Sequence, residues 1–135
     1  MIVADTNLIA YLFIEGHTTE VARTVFVSDN EWVAPYLWRS EFRNVLALYI
    51  RQKLIMLDTA KELMTQAENL MLDHEFEVNS SDVLDLAKMS ACSAYDCEFV
   101  ALAKELSVKI VTSDKKLIAA FPAVAVSMDS YPLSE

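Results

Sequence analysis

A chain of 135 residues is long enough to bury roughly two-thirds of its unfolded surface in a single domain over 1–135, so folding requires neither disulfides nor a structural metal. Its 54% hydrophobic content and mean hydropathy of +0.26 predict a large core, or an apolar face that meets a partner. The formal charge of −9 argues against the basic excess by which proteins adhere non-specifically to nucleic acid, and no uninterrupted apolar run approaches membrane-spanning length.

Met1, Ile2, Val3 and Ala4 predict a short buried strand, with Asp5 directly after it. This start has neither a basic n-region nor a small-residue cleavage site, so no signal peptide is expected. Leu8, Ile9, Tyr11 and Leu12 recur at helical spacing and predict a helix over 6–14. A second helix is expected over 18–27, with the single glycine, Gly16, in the break between them. Residues 31–34 read as a strand ended by Pro35. Two long amphipathic helices follow over 37–53 and 58–72, then a strand over 76–78. Residues 80–93 read as a helix opened by capping serines, and 94–107 as another. The segment 108–113 (VKIVTS) is the clearest strand, 115–121 a short helix and 123–126 a last strand. Pro35, Pro122 and Pro132 fall at element junctions, and no linker, low-complexity tract or repeat intervenes. Strands separated by helices imply a parallel sheet covered on both faces.

Cys92 and Cys97 have no second pair or histidine cluster with which to hold zinc, and are read as reduced packing residues of a cytoplasmic protein. His17 and His74, near helix ends in polar surroundings, are read as solvated.

Four acids stand out. Asp5 and Asp114 each follow a strand and open a helix, where a carboxylate caps free backbone N–H groups. Both also project from the carboxyl edge of a parallel sheet, where ligands gather in such folds. Asp96 sits in the first turn of its helix in a capping-box context, Ser93-Ala94-Tyr95-Asp96. Its neighbours at helical spacing, Phe99, Val100 and Ala103, are apolar, which turns it inward, whereas Glu98 and Glu105 mark the solvated side. Glu41 shares a face with Leu37, Val45 and Leu48, and a carboxylate directed at a core costs several kcal/mol unless it is paired or metal-bound. Carboxylates gathered at one sheet edge raise each other's pKa unless a cation neutralises them. Hard oxygen donors without cysteine or histidine select magnesium or manganese over zinc.

With these motifs in view, the chain resembles the PIN-domain ribonucleases, and among them the VapC-type toxins of toxin–antitoxin pairs. VADTNLIAYLF, LWRSEFRNVLALYIR, AYDCEFVALAKEL and IVTSDKKL are similar to the family's four motifs in order, spacing and context, across nearly the whole chain. The resemblance implies a three-layer α/β/α sandwich around a parallel, roughly five-stranded sheet. It implies an acidic quartet of Asp5, Glu41, Asp96 and Asp114, with Asp5 and Asp96 foremost as direct metal ligands. Thr6, Asn7 and Ser113 fall where the family has small polar residues that orient the acids or a water. The implied activity is Mg²⁺-dependent hydrolysis of RNA phosphodiester bonds, with Mn²⁺ as a substitute, in an endoribonuclease that forms homodimers and is restrained by a VapB-type antitoxin. One or two cations would acidify an attacking water and neutralise charge on the phosphate, with Glu41 or Asp114 positioning the water.

Arg39, Arg43, Lys115 and Lys116 flank two of the acids and are candidates for guiding phosphate, against the alternative of solvated or ion-paired side chains. The helices at 36–53 and 58–73 carry Trp38, Phe42, Tyr49, Ile50, Ile55, Met56, Leu63, Met64, Leu70 and Met71, more than one inward stripe needs. An antitoxin peptide or a second copy would cover such a surplus. Two other readings exist. One is a PIN-like module that binds RNA or protein without cutting, which an intact quartet disfavours. The other is a phospho-receiver domain, which lacks support because Asp5 stands alone after the first strand and no aspartate follows WVAP.

Overall fold

Five short strands form one parallel sheet: β1 (Ile2–Ala4), β2 (Trp32–Pro35), β3 (Glu75–Phe76), β4 (Ile110–Thr112) and β5 (Ala125–Ser127), in the order β3-β2-β1-β4-β5. The computed structural model describes residues 1–131, so Pro132 lies outside the described residues. β1 and β4 are apolar up to their last residue and fully buried, as strands covered on both faces must be. Pro35 ends β2 from within the strand and not beyond it. The amides of Ala34 and Tyr36 donate to the His74 and Phe76 carbonyls, so the ladder steps over the residue that has no N–H.

Seven α-helices connect the strands: α1 (Thr6–Phe13) and α2 (Thr19–Ser28), α3 (Leu37–Arg51) and α4 (Leu57–Met71), α5 (Ser80–Met89) and α6 (Ala94–Leu106), and α7 (Lys115–Ala120). The path β1 to β2 to β3 moves one way across the sheet, and the return to β4 moves back over β2 and β1. Right-handed crossovers therefore put α1–α4 on one face and α5–α6 on the other. The packing agrees: α1 touches α2, α3 and α4, while α5 lies on α6 and α6 lies across β1, β2 and β4. Among the described residues no helix is long and apolar enough to cross a membrane.

Several boundaries differ from expectation for identifiable reasons. The helix expected over 80–93 ends at Met89, because the Ser90 hydroxyl donates to the Leu86 carbonyl at 2.8 Å and accepts from the Cys92 amide. Its cap is Asn79, which accepts from the Asp82 amide, and not a serine. His74 is half-buried, its Nδ1–H donating to the Trp32 carbonyl at 2.9 Å. Both cysteines are free and buried.

The core joins the sheet to both helical layers through Trp32, Trp38, Phe42, Leu8, Met71, Val100 and Leu102, each almost wholly buried. Burial of each such side chain contributes about 1.5–3 kcal/mol. The inward stripe of α3 is Trp38, Phe42 and Leu46, not the row of Leu37, Val45 and Leu48 that its sequence suggested, and Leu48 is exposed. Of the apolar surplus on α3 and α4, only Met56 among the ten named side chains is exposed; the rest are core or pack against it. Of the exposed large apolar residues, Leu48, Leu54, Met56 and Leu57 lie in or beside the turn between those helices.

Candidate active site

Strand order reverses between β1 and β4, and the crevice beyond their carboxyl ends is where doubly wound sheets hold ligands. A cleft of about 430 Å³ opens there, and Asp5, Glu41, Asp96 and Asp114 all line it, together with Thr6, Asn7, Ser40, Asn44 and Tyr95. The four acids arrive from four elements: the ends of β1 and β4, the second turn of α3 and the first turn of α6.

The capping reading holds at the same time. Asp5 Oδ1 accepts from the Leu8 amide at 2.8 Å, and Asp114 Oδ1 accepts from the Lys116 and Leu117 amides. Each helix is thus anchored by the residue that supplies a carboxylate to the cleft. Asp96 lies three residues after Ser93, whose hydroxyl accepts the Asp96 amide at 3.1 Å.

Thr112 was not singled out from the sequence. Ala4 pairs with Val111, so the next residue of each strand, Asp5 and Thr112, stand side by side. The fully buried Thr112 hydroxyl donates to Asp5 Oδ2 and accepts from the Asp114 amide, tying two of the four acids together. Ser113, the expected partner, does not line the cleft. Thr6 is placed as expected, its hydroxyl donating to Glu41 Oε1 at 2.7 Å, and Asn7 faces the cleft.

Burial sets the electrostatics. Asp5, only 9% exposed, is pushed up to about 6 by loss of solvent, partly offset by its bonds from Thr112 and Leu8, with Glu41 and Asp114 adding repulsion. Glu41 is raised by burial, eased by Thr6 and reinforced by Asp96. Asp96 is raised by burial and by Asp114, while Ser93 and Lys116 draw it back. Glu98 departs from its expected solvated position: it is half-buried and raised by burial and by the charge of Glu41.

The basic residues divide. The charge of Lys116 reaches Asp96, although its side chain is exposed and does not line the cleft. Arg39 takes the ion-paired alternative, its guanidinium bound to both oxygens of Glu75 and to Glu68. Arg43 and Lys115 are exposed and do not line the cleft.

Oxygen is the only donor type these acids offer. Among the described residues no three histidine, cysteine or acidic side chains close around a single point, so the carboxylates rim the cleft without forming a cage. Glu41 Oε2 and Asp114 Oδ2 accept no hydrogen bond from the described residues. An open, oxygen-only rim of mutually repelling carboxylates fits a hydrated hard cation, which keeps several waters and takes one or two protein carboxylates.

Comparison with known proteins accords with this geometry. The PIN domain family model matches residues 2–123. The chain is 26% identical over 126 residues to Ribonuclease VapC3 of Pyrobaculum aerophilum, an alignment covering 91% of this chain and 96% of that protein. Its structure is similar to that of FitAcB from Neisseria gonorrhoeae, with a TM-score of 0.75 and 17% identity over 95% of this chain and 98% of the other. It is also similar to FitAB bound to an IR36 DNA fragment, with a TM-score of 0.71 and 18% identity over 95% of each chain. The family match spans both strands of the crevice and all four of its acids, and this chain belongs to the PIN domain family.

Proposed function

We propose that the chain is a divalent-cation-dependent endoribonuclease and the toxin of a toxin–antitoxin pair. The observation that carries this reading is the convergence of Asp5, Glu41, Asp96 and Asp114 on one cleft, where burial and neighbouring carboxylates make the charges of Asp5, Glu41 and Asp96 costly until a cation offsets them. The name of the VapC3 relative, a ribonuclease, supports the same activity.

Asp5 and Asp96 would hold Mg²⁺, or Mn²⁺ in its place, with Glu41 and Asp114 completing the rim. When bound, such an ion supplies positive charge that polarises a phosphodiester and acidifies water. The chain's own groups do the rest. Asp5 cannot rotate, because one oxygen takes the Leu8 amide and the other the Thr112 hydroxyl. Thr6 fixes Glu41 through Oε1 and leaves Oε2 to orient a water and take its proton. Asp114, held through Oδ1, presents Oδ2 to the same space. Lys116 offsets the negative charge near Asp96 as the anionic substrate enters.

The partners follow from the same reading: an RNA substrate, a VapB-type antitoxin and a second copy of the chain, in the cytoplasm. The exposed Leu48, Leu54, Met56 and Leu57 supply apolar surface for such contacts.

Incubation of the purified protein with mixed RNAs, with Mg²⁺, with Mn²⁺ and with chelator, tests the activity. Metal-dependent cutting that is lost in Asp96→Asn is expected. Absence of cutting together with absence of cation binding in calorimetry would overturn the proposal in favour of a non-catalytic binding module.

A further inference from the structure

We infer that the cleft selects its substrate by an unpaired base, stacked on the ring of Tyr95 and read by the amides of Asn7 and Asn44. This deepens the nuclease reading above and takes its reacting phosphate from it.

The starting point is charge. A chain of net charge −9 whose cleft is rimmed by four carboxylates cannot draw its affinity from counterion release. Arg39 is bound by Glu75 and Glu68, and Arg43, Lys115 and Lys116 are exposed and do not line the cleft, although the charge of Lys116 reaches Asp96. A cation held by these acids would take the reacting phosphate, which leaves further binding energy and any choice among nucleotides to the neutral part of a nucleotide, and the rest of the lining suits that part. Tyr95 borders the cleft next to Asp96, yet 63% of it is exposed. An aromatic residue so placed contributes little to the core and offers a face to a planar group. Asn7 and Asn44 also line the cleft and are exposed, and among the described residues their amides have no protein partner. An amide carries both a donor and an acceptor, the combination that reads the edge of a base, whereas a phosphate offers acceptors alone. Leu37, Val45 and Phe99 supply the apolar walls between these polar groups. A base paired within a helix is stacked on its neighbours and exposes neither its face nor its pairing edge, so the ligand is single-stranded or looped.

The test uses random-sequence RNA octamers with one central 2-aminopurine, whose fluorescence falls on stacking. The wild-type chain is to be compared with Tyr95→Phe, Tyr95→Leu and Tyr95→Ala, in chelator and in Mg²⁺. Tyr95→Phe is expected to bind within about twofold of wild type. Loss of one stacked base, worth roughly tenfold in affinity, is expected in both Tyr95→Leu and Tyr95→Ala, appearing in KM with kcat largely retained. Asn44→Ala is expected to change which sequences are cut more than how fast. Competition by poly(U) should exceed that by the poly(A)·poly(U) duplex, and the salt dependence should be shallow, with a log–log slope weaker than about −2. Thermal melting of each variant reports that it is folded. Unchanged binding in folded Tyr95→Leu, a loss in Tyr95→Phe equal to that in Tyr95→Ala, or a slope of about −4 or steeper would overturn the inference. Quenching that depends on Tyr95 with no metal-dependent cutting would sustain base recognition and remove the nuclease reading. Cutting that ignores Tyr95 would do the reverse.

Discussion

Asp5 shows how a single side chain serves fold and site together. One oxygen caps α1 and the other receives the Thr112 hydroxyl, so the acid is held by the backbone it helps to organise. The two roles separate by substitution. Asp5→Asn keeps an acceptor for the Leu8 amide and removes a buried charge but sets an NH2 against the Thr112 hydroxyl, so its stability is expected to stay within about 1–2 kcal/mol of wild type while cation binding is lost. Asp5→Ala loses the cap as well and is expected to cost about 1–2 kcal/mol, measured by urea unfolding. A second prediction concerns Thr112. Thr112→Val keeps the shape but strands Asp5 Oδ2 and the Asp114 amide, with an expected cost of about 1–3 kcal/mol and a loss of activity larger than that in Ser113→Ala. The convergence of the four acids was legible in part because Asp5, Asp96 and Asp114 interrupt apolar patterns at element ends and Glu41 interrupts an apolar row in the second turn of α3. Thr112 was not, since its role depends on the register of β4 against β1, and no property of IVTSD favours Thr112 over Ser113. Glu98 escapes the same pattern: its heptad partner Glu105 is exposed, whereas Glu98 is half-buried and feels the charge of Glu41.

Among the elements, α3 carries most of what the sequence obscured. Two apolar rows run along it one position apart, 37/45/48 and 38/42/46, and periodicity does not decide between them. The second row wins because Trp38 and Phe42 fill the space beside β2, with ring centroids 6.0 Å apart, and Trp38 gains a hydrogen bond from its Nε1–H to Glu75. That turns Glu41 to the rim of the cleft and Arg39 towards β3, where Glu75, only 6% exposed in its side chain, accepts from both Trp38 and Arg39. The clamp fixes the rotation of the helix that presents Glu41. Arg39→Ala is therefore expected to lower the unfolding free energy by about 1–3 kcal/mol in urea while leaving RNA affinity within about twofold. A loss of affinity without loss of stability would return Arg39 to the role of phosphate guide. Arg39 and Trp38 hold Glu75 below its ordinary 4.5, so the folded chain binds fewer protons there than the unfolded chain. The clamp's contribution is complete above that value and is lost as pH falls through the lower folded one. Helix and strand types were readable from period and punctuation. The crossing back from β3 to β4, which creates the crevice, follows from right-handed connections only once the strand order is known.

For the molecule as a whole, the cleft opposes the usual dependence of stability on pH. Asp5 is pushed up to about 6, and Glu41, Asp96 and Glu98 are also raised, so above their unfolded values, near 4, the folded chain binds more protons than the unfolded one until each folded value is passed. Stability then falls as pH rises, by the linkage relation, and Asp5 alone contributes on the order of 2–3 kcal/mol. Glu75 acts in the opposite sense, from about 4.5 downward, and so weighs little between pH 5 and pH 7.5. In chelator, the melting temperature and urea midpoint are accordingly expected to be higher at pH 5 than at pH 7.5. A divalent cation binds the ionised carboxylates and not the protonated ones, so Mg²⁺ or Mn²⁺ should raise the melting temperature at pH 7.5 and have little effect at pH 5. The two measurements constrain each other. If the cleft acids cause the deficit at neutral pH, Asp5→Asn should flatten the pH dependence in chelator and remove the gain from added cation. A chelated protein whose stability climbs steadily from pH 5 to pH 7.5 would mean that these carboxylates are not costly, and would leave them with no energetic need of a cation.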